Sequence, residues 1–408
     1  MIENRKGLNR RTMLKAAAAG VAVATPLRLV SAAAPVKVGV ILPTSGVLAF
    51  PGQAAARGIQ FGEKILKEKG GQAFEFAFVD TESKPENGRV AAEKLIRDGC
   101  TVLIGAWDTG TTISAAQAAE AAKVPLVINI ASAPQITEQG FTQVFRNFTP
   151  SGILIRNAVA RIKELTAGQS VTPKTAVILH VNDTFGQATL AAVNDLWTKL
   201  DVGIKIVAQI GYDLRARDLS VEVAKAKETG ADLAMPITRV NDAIMIVREM
   251  VKQDFSPMAI IGPGSPGPYE KAFTNATGKY GNDYFICVPW YNPKNPRTVS
   301  LVERFQRENP NERFELNVGF SYEAVEIVAD AVARAKSNEP AALHAALKAT
   351  NIADHVMYGG PIQFDAKGQN NNIGGAMLQN QNSEPIVVGP ADVAVANAKF
   401  PMTPFKNR

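Results

Sequence analysis

The sequence is poor in the residues that most enzymes, metal proteins and disulfide scaffolds are built from: two cysteines and three histidines in 408 residues. Cys100 and Cys287 form no Cys-x-x-Cys pair, which excludes a redox or zinc motif of that kind; they are expected as buried free thiols, with a bridge between them as the alternative. His180, His344 and His355 are too scattered for a histidine-built metal site, so no metal is expected. Phosphate-cradling and nucleophile motifs are also missing. No G-x-G-x-x-G follows the first strand, and neither G-x-x-x-x-G-K-[ST] nor G-x-S-x-G occurs, so no cofactor is expected and no catalytic residue is assigned.

An excess of positive charge is lacking once its location is considered. The formal net charge is +6, from 44 bases and 38 acids, but residues 1–33 hold six bases (Arg5, Lys6, Arg10, Arg11, Lys15, Arg28) against Glu3. The remainder carries 38 bases and 37 acids and no dense basic stripe, which argues against nucleic acid as a partner. Beyond the leader, no uninterrupted apolar run approaches the ~18 residues of a membrane span.

What is present begins with that leader. A basic start, an apolar small-residue run from Leu14 through Thr25 and Ser31-Ala32-Ala33-Ala34 read as an export signal over 1–33, cleaved after Ala33 because Pro35 disfavours the next bond. Asn9-Arg10-Arg11-Thr12-Met13-Leu14-Lys15 resembles the twin-arginine motif, which implies twin-arginine export machinery as a partner; an ordinary secretory leader with adjacent arginines is the alternative. Both place the mature protein in the periplasm.

The body alternates strands and helices. Strands are expected at Val36–Leu42, Phe74–Val79, Thr101–Ile104 and Leu126–Ile130, with helices at Gln53–Lys69, Asn87–Arg97 and Thr112–Ala122 between them. The alternation restarts after Pro150, with strands at Thr175–His180, Ile204–Gln209, Leu233–Pro236 and Met258–Ile261 separated by helices. This α/β pattern gives parallel sheets with helices on both faces, and the length fits two lobes better than one very large sheet. In the last third, a strand at Tyr284–Val288, helices at Ser300–Arg307 and Ser321–Ala335 and a hairpin arm at 361–368 are expected to return and complete the lobes. A chain that crosses between lobes more than once builds a hinge and a cleft.

In open α/β sheets the ligand crevice lies beyond the carboxyl ends of the strands. Ser45-Gly46, Gly105 to Thr112 and Ile130 to Pro134 occupy such places, where helix amides receive a carboxylate or similar oxygen and where helix capping is the simpler role for a hydroxyl such as Ser132. Trp107 and Phe185, just past strands, form an aromatic clamp or pack in the core; one ring of Trp290-Tyr291 is expected at the cleft, and Trp197 in the core. Asp108, Asp183 and Arg239 are either surface charges or site groups.

Together with the leader, Val36 to Gly46, Ala91-Ala92-Glu93-Lys94-Leu95-Ile96, Val124-Pro125-Leu126-Val127, Ala133-Pro134-Gln135-Ile136-Thr137, Phe145-Arg146, Asp183 to Gly186, Tyr322-Glu323-Ala324-Val325 and Phe364-Asp365 resemble the leucine/isoleucine/valine-binding protein family. The resemblance implies the type I periplasmic binding fold: two Rossmann-like lobes joined by three crossovers around a central cleft. It implies lobe 1 at 34–150 and 288–370, and lobe 2 at 151–287 and 371–408. It also implies a non-enzymatic receptor that binds a small-molecule solute and delivers it to an ABC permease in the inner membrane. Ligand contacts then fall on Trp107, Asp108, Thr109 and Thr111, on Ile130, Ala131 and Ser132, and on Phe185 and Arg239. In the amino-acid receptors an acid after the Gly-Pro turn holds the ammonium; here Gly264 stands there, and Asp108 is a candidate replacement. Two ligand classes stay open, a branched-chain or related amino acid and an aromatic or aliphatic organic acid or amide. A periplasmic sensor or enzyme is the remote alternative.

Overall fold

The computed structural model of the protein describes residues 34–167, 169 and 171–408; the export signal expected at 1–33 lies outside the described residues. The architecture belongs to Pro35–Arg408. The chain begins with β1 (Val36–Leu42), α1 (Ala49–Lys69), β2 (Phe74–Asp80), α2 (Asn87–Arg97), β3 (Val102–Gly105), α3 (Thr109–Ala122), β4 (Leu126–Ile128), the short α4 (Gln135–Glu138) and β5 (Val144–Arg146). These strands form one parallel sheet in the order β2-β1-β3-β4-β5. Its second strand, β1, is buried along almost its whole length, whereas β2 at the edge alternates between half-buried and exposed residues. That contrast is what two covered faces and one open edge require.

The second series runs α5 (Ser151–Thr166), β6 (Thr175–Val181), α6 (Thr184–Lys199), β7 (Lys205–Tyr212), α7 (Ser220–Glu228), β8 (Leu233–Ile237), α8 (Val240–Lys252), β9 (Ala259–Pro263), α9 (Lys271–Thr277) and β10 (Phe285–Val288). Then come α10 (Pro296–Glu308), α11 (Leu316–Ala335), α12 (Pro340–Lys348) and the final strands β11 (Ala376–Gln381) and β12 (Glu384–Gly389). The second sheet has the order β12-β11-β10-β9-β8-β6-β7, with β11 antiparallel to both neighbours. The chain therefore passes from the first lobe to the second after β5, back after β10, and again to the second before β11.

Helices α10 and α11 return to the first lobe because their apolar faces fit α1. Phe61 packs edge-on against Phe305 and tilted against Tyr322, with centroids 5.3 and 5.8 Å apart. A Cβ on Gly58 of α1 would stand 2.3 Å from the Val318 carbonyl oxygen, so glycine is what lets α1 and α11 approach. The hairpin arm expected at 361–368 is corrected: Ile362 makes an isolated bridge to Ile352 and Asp365 closes a turn on Gly368, while the hairpin is β11–β12. Its turn residues Asn382 and Ser383 both have positive φ (53° and 63°), geometry that a hairpin usually draws from Asn-Gly. Cys100 and Cys287 are both free and buried, in line with the expectation. Among the described residues no helix is long and apolar enough to cross a membrane.

The crossovers are tied together by one buried carboxylate. Glu323 of α11 is 1% exposed. Its Oε1 accepts from the backbone N–H groups of Val356 and Met357, both at 2.8 Å, and from His355 Nδ1 at 3.0 Å; Oε2 accepts from Asn147 Nδ2 at 2.9 Å. Asn147 opens the first crossover and accepts from Asn370 Nδ2 of the third at 2.9 Å; Met357 bridges Tyr291 of the second. His355 Nε2 faces the Gly360 carbonyl at 2.8 Å, so both ring nitrogens face acceptors and the ring is held as imidazolium. Burial pushes the Glu323 carboxyl up and the His355 imidazole down, but their mutual hydrogen bond and attraction prevail, leaving Glu323 below and His355 above its ordinary value.

Glu323→Gln is expected to lower unfolding free energy by about 3 kcal/mol, the scale for breaking a buried pair, read as a urea midpoint shift at neutral pH. The raised His355 pKa contributes stability that is complete below about pH 6.5 and is lost as pH rises through the folded value. Wild type should show that loss and the variant should not.

Candidate functional site

The loops beyond β3, β4, β6, β8 and β9 converge between the two sheets. Past β3, Trp107 takes φ 75°, a conformation costly for a bulky residue, and its indole N–H donates to Asn317 Oδ1 of α11 at 2.8 Å. Asp108 N-caps α3, its Oδ1 accepting from the Thr111 N–H at 3.1 Å. Capping uses only half of this carboxylate: Oδ2 is buried with no hydrogen-bond partner among the described residues, as is the Thr109 hydroxyl. Burial pushes the Asp108 carboxyl above its ordinary value, against the opposing Thr111 hydrogen bonds and the Arg239 charge.

Past β4, Ile130-Ala131-Ser132 is shaped from behind by Arg146. This fully buried guanidinium donates from Nη1 to the carbonyls of Ala133 (2.7 Å) and Ala131 (3.3 Å) and from Nη2 to Thr137 Oγ1 (3.0 Å), while Nε reaches Gln369. Burial pushes the Arg146 pKa down to about 9, with Glu138 and Asp365 opposing. The Ser132 carbonyl accepts from the Ser151 N–H at 2.7 Å and its hydroxyl at 2.9 Å, fixing the loop to the first turn of α5.

The second lobe supplies the charged wall. Asp183 N-caps α6 through Oδ1, accepting from Gly186 N–H at 2.8 Å, and its Oδ2 pairs with Arg239 Nη2 at 2.6 Å. Arg239 precedes α8, and its guanidinium stacks over the rings of Phe185 and Trp107 at 4.9 and 5.9 Å from their centroids. The Trp107 contact joins the lobes, as does the 3.3 Å hydrogen bond from Asn241 Nδ2 to the Val47 carbonyl. Arg239 Nη1 is buried and unpartnered among the described residues. Gly264 ends β9 with φ 66°, and a Cβ there would lie 2.8 Å from Leu154 Cδ2, so no acidic side chain fits at this place without repacking.

Between these walls lies a cavity of ≈ 450 Å³, part of it open to solvent. Nine of the ten expected ligand residues line it; the tenth, Thr111, sits behind Asp108 in the first turn of α3. Phe148, Leu154, Pro266, Val288 and Leu316 complete the lining and carried no motif in the sequence. Their one signal is position, since Phe148 and Val288 stand where a strand hands the chain to a crossover. The expectation that Trp290 or Tyr291 reaches the cleft is corrected: Trp290 packs between Tyr269 and Tyr291 at centroid distances of 5.2 Å, beside the hinge rather than on the cavity. Trp197 is in the core, as expected, its N–H donating to the Ile204 carbonyl at 2.6 Å.

Comparison with known families places this architecture. A family model described as "Periplasmic binding protein" matches residues 35–383. The chain belongs to the periplasmic binding protein family. Among curated relatives, this periplasmic binding protein is similar to Leu/Ile/Val-binding protein homolog 8 of Brucella abortus, 25% identical over 95% of this chain and 98% of the relative. Among solved structures it resembles a leucine binding protein of Thermotoga maritima (TM-score 0.74, 20% identity, covering 87% of this chain and 98% of that one). It also resembles an ABC transporter solute binding protein of R. palustris in complex with benzoate (TM-score 0.76, 21% identity, 89% and 98%).

Arg146→Gln removes the donors that shape the Ile130–Ser132 loop and leaves buried acceptors unpaired. It is expected to lower unfolding free energy by about 3 kcal/mol, measured by urea denaturation, whereas the surface change Lys163→Gln stays within about 0.5 kcal/mol.

Proposed function

We propose that this binding protein is the receptor of an ABC importer for a small organic carboxylate with a flat or apolar body, held in the cavity between the lobes. Lobe 1 is taken as 34–150 with 288–370, and lobe 2 as 151–287 with 371–408. The observation that carries the reading is the pairing of apolar walls with one unsatisfied cationic donor, Arg239 Nη1, across from Ser132 and the start of α3. A guanidinium and helix amides suit a carboxylate, and Trp107, Phe185 and Phe148 suit an apolar ring or chain. Relatives of this fold include proteins solved with benzoate and with 3,4-dihydroxy benzoic acid.

Solute held by one lobe draws the other over it, and the polar contacts strengthen as water leaves; affinity then reports the difference between closed and open states. The absence of an acid at Gly264 removes the usual ammonium partner, which favours ligands without one. A free amino acid is the second reading. It is favoured by Asp108 Oδ2, an unpartnered acceptor on the cavity wall, and relatives of this fold were solved with leucine and isoleucine.

Calorimetry of refolded mature protein with benzoate and with leucine separates the two. A carboxylate beside Asp108 favours the protonated acid, so benzoate binding should take up a proton and tighten as pH falls through the raised Asp108 pKa, and Asp108→Asn should keep it within about 3-fold. An ammonium favours ionised Asp108, so leucine binding would weaken as pH falls and lose at least ~10-fold in Asp108→Asn, about 1.4 kcal/mol. Tight leucine binding with that second pattern overturns the carboxylate reading.

A further inference from the structure

Arg239 lines two spaces. On its inner side is the cavity; on its outer side is a wide groove of ≈ 1750 Å³, part of it open solvent, bordered by Val47 and Phe50 of the first lobe and by Arg215, Arg217 and Arg248 of the second. Arg215 and Arg217 are exposed, and neither guanidinium has an ion-pair or hydrogen-bond partner among the described residues. Arg248 is exposed and donates from Nη2 to the Ala276 carbonyl at 3.0 Å. Four arginines thus face one groove.

The acids nearby do not offset them within it. Asp242, the one carboxylate on the groove wall, is buried, accepting from Tyr212 Oη–H at 2.6 Å and the Arg239 N–H at 2.8 Å; burial pushes it up to about 6, against those bonds and the Arg239 charge. Asp213 and Asp218 lie on the same loop as Arg215 and Arg217, and each accepts from its own backbone, at Arg215 N–H (2.7 Å) and Ser220 N–H (2.6 Å). Asp183 is held by Arg239.

We propose that this groove is an antechamber that captures anionic solutes and steers them to the cavity, with Arg239, stacked between Phe185 and Trp107, as the partition between the two spaces. The inference rests on the carboxylate reading of the cavity. A concave surface of one charge sign raises local anion concentration and association rate, and does so less as salt screens it. Val47 and Phe50 are exposed apolar residues on the opposite rim (41% and 50%), which gives an apolar acid a surface to rest on beside the guanidiniums.

The test is stopped-flow tryptophan fluorescence, with Trp107 on the cavity as reporter and benzoate, 4-hydroxybenzoate and leucine as probes, on wild type and on Arg215→Gln/Arg217→Gln. For the aromatic acids, wild-type kon should fall at least ~5-fold between about 0.02 and 0.5 M NaCl; the double variant should be ~5-fold slower at low salt, nearly salt-independent, and unchanged in koff within ~2-fold. Acids that bind with equal kon in both proteins overturn the antechamber and leave the carboxylate reading standing; a concurrent loss of solute import by cells carrying the double variant would assign the groove to the membrane partner instead. A change confined to koff also overturns it, because the arginines would then hold the closed state rather than guide entering solute. Failure of both aromatic acids to bind at any salt removes the carboxylate reading, and the inference with it.

Discussion

The Glu323 carboxylate is the constraint on which the rest of the structure depends. It takes four hydrogen bonds from partners on two stretches of chain, Asn147 and His355–Met357, and through them it reaches the crossovers between the lobes. A charge so deeply buried persists only when its acceptor capacity is filled, and the imidazolium of His355 fills part of it. The three crossovers are thereby tied to one another. The cavity is lined by strand-end loops of both lobes together with Phe148 and Val288 at the crossovers.

The cavity obeys the same rule with exceptions on each side. Asp183, Arg239 and Asp108 are each partly satisfied, by an ion pair, by stacking or by capping, yet among the described residues Asp108 Oδ2 and the Thr109 hydroxyl on one side and Arg239 Nη1 on the other have no partner. Buried polar atoms without partners cost free energy, and in a binding protein that cost is recovered when ligand supplies the missing contacts. Rigid supports make the arrangement specific: Asn317 fixes Trp107, and Arg146 fixes the carbonyls of Ala131 and Ala133. The Arg239 stack also separates inner cavity from outer groove, linking recognition to the route by which solute arrives.

Much of the fold was legible because strand and helix periods are local. The buried runs at Val36–Leu42 and Thr175–Val181 and the helices between them follow from hydrophobic spacing alone. Elements held by long-range contacts were harder: β5 is three residues, and the β11–β12 turn places Asn382 and Ser383 at positive φ without a glycine. Trp290 was misplaced for a similar reason, since a ring after a strand can turn toward cleft or hinge, and its neighbours Tyr269 and Tyr291 decide which.

By itself the sequence determined the α/β alternation, its restart after Pro150, and the loops that meet at the cleft, because these depend on residue type and spacing over short windows. Only the tertiary structure decided that Arg239 and Asp108 both face the cavity, that a side chain at Gly264 would have to displace Leu154, and that Arg215 and Arg217 share a groove with Arg239. Those facts depend on how two sheets and three crossovers set distant loops against each other, and no local pattern encodes the distance between residues far apart along the chain.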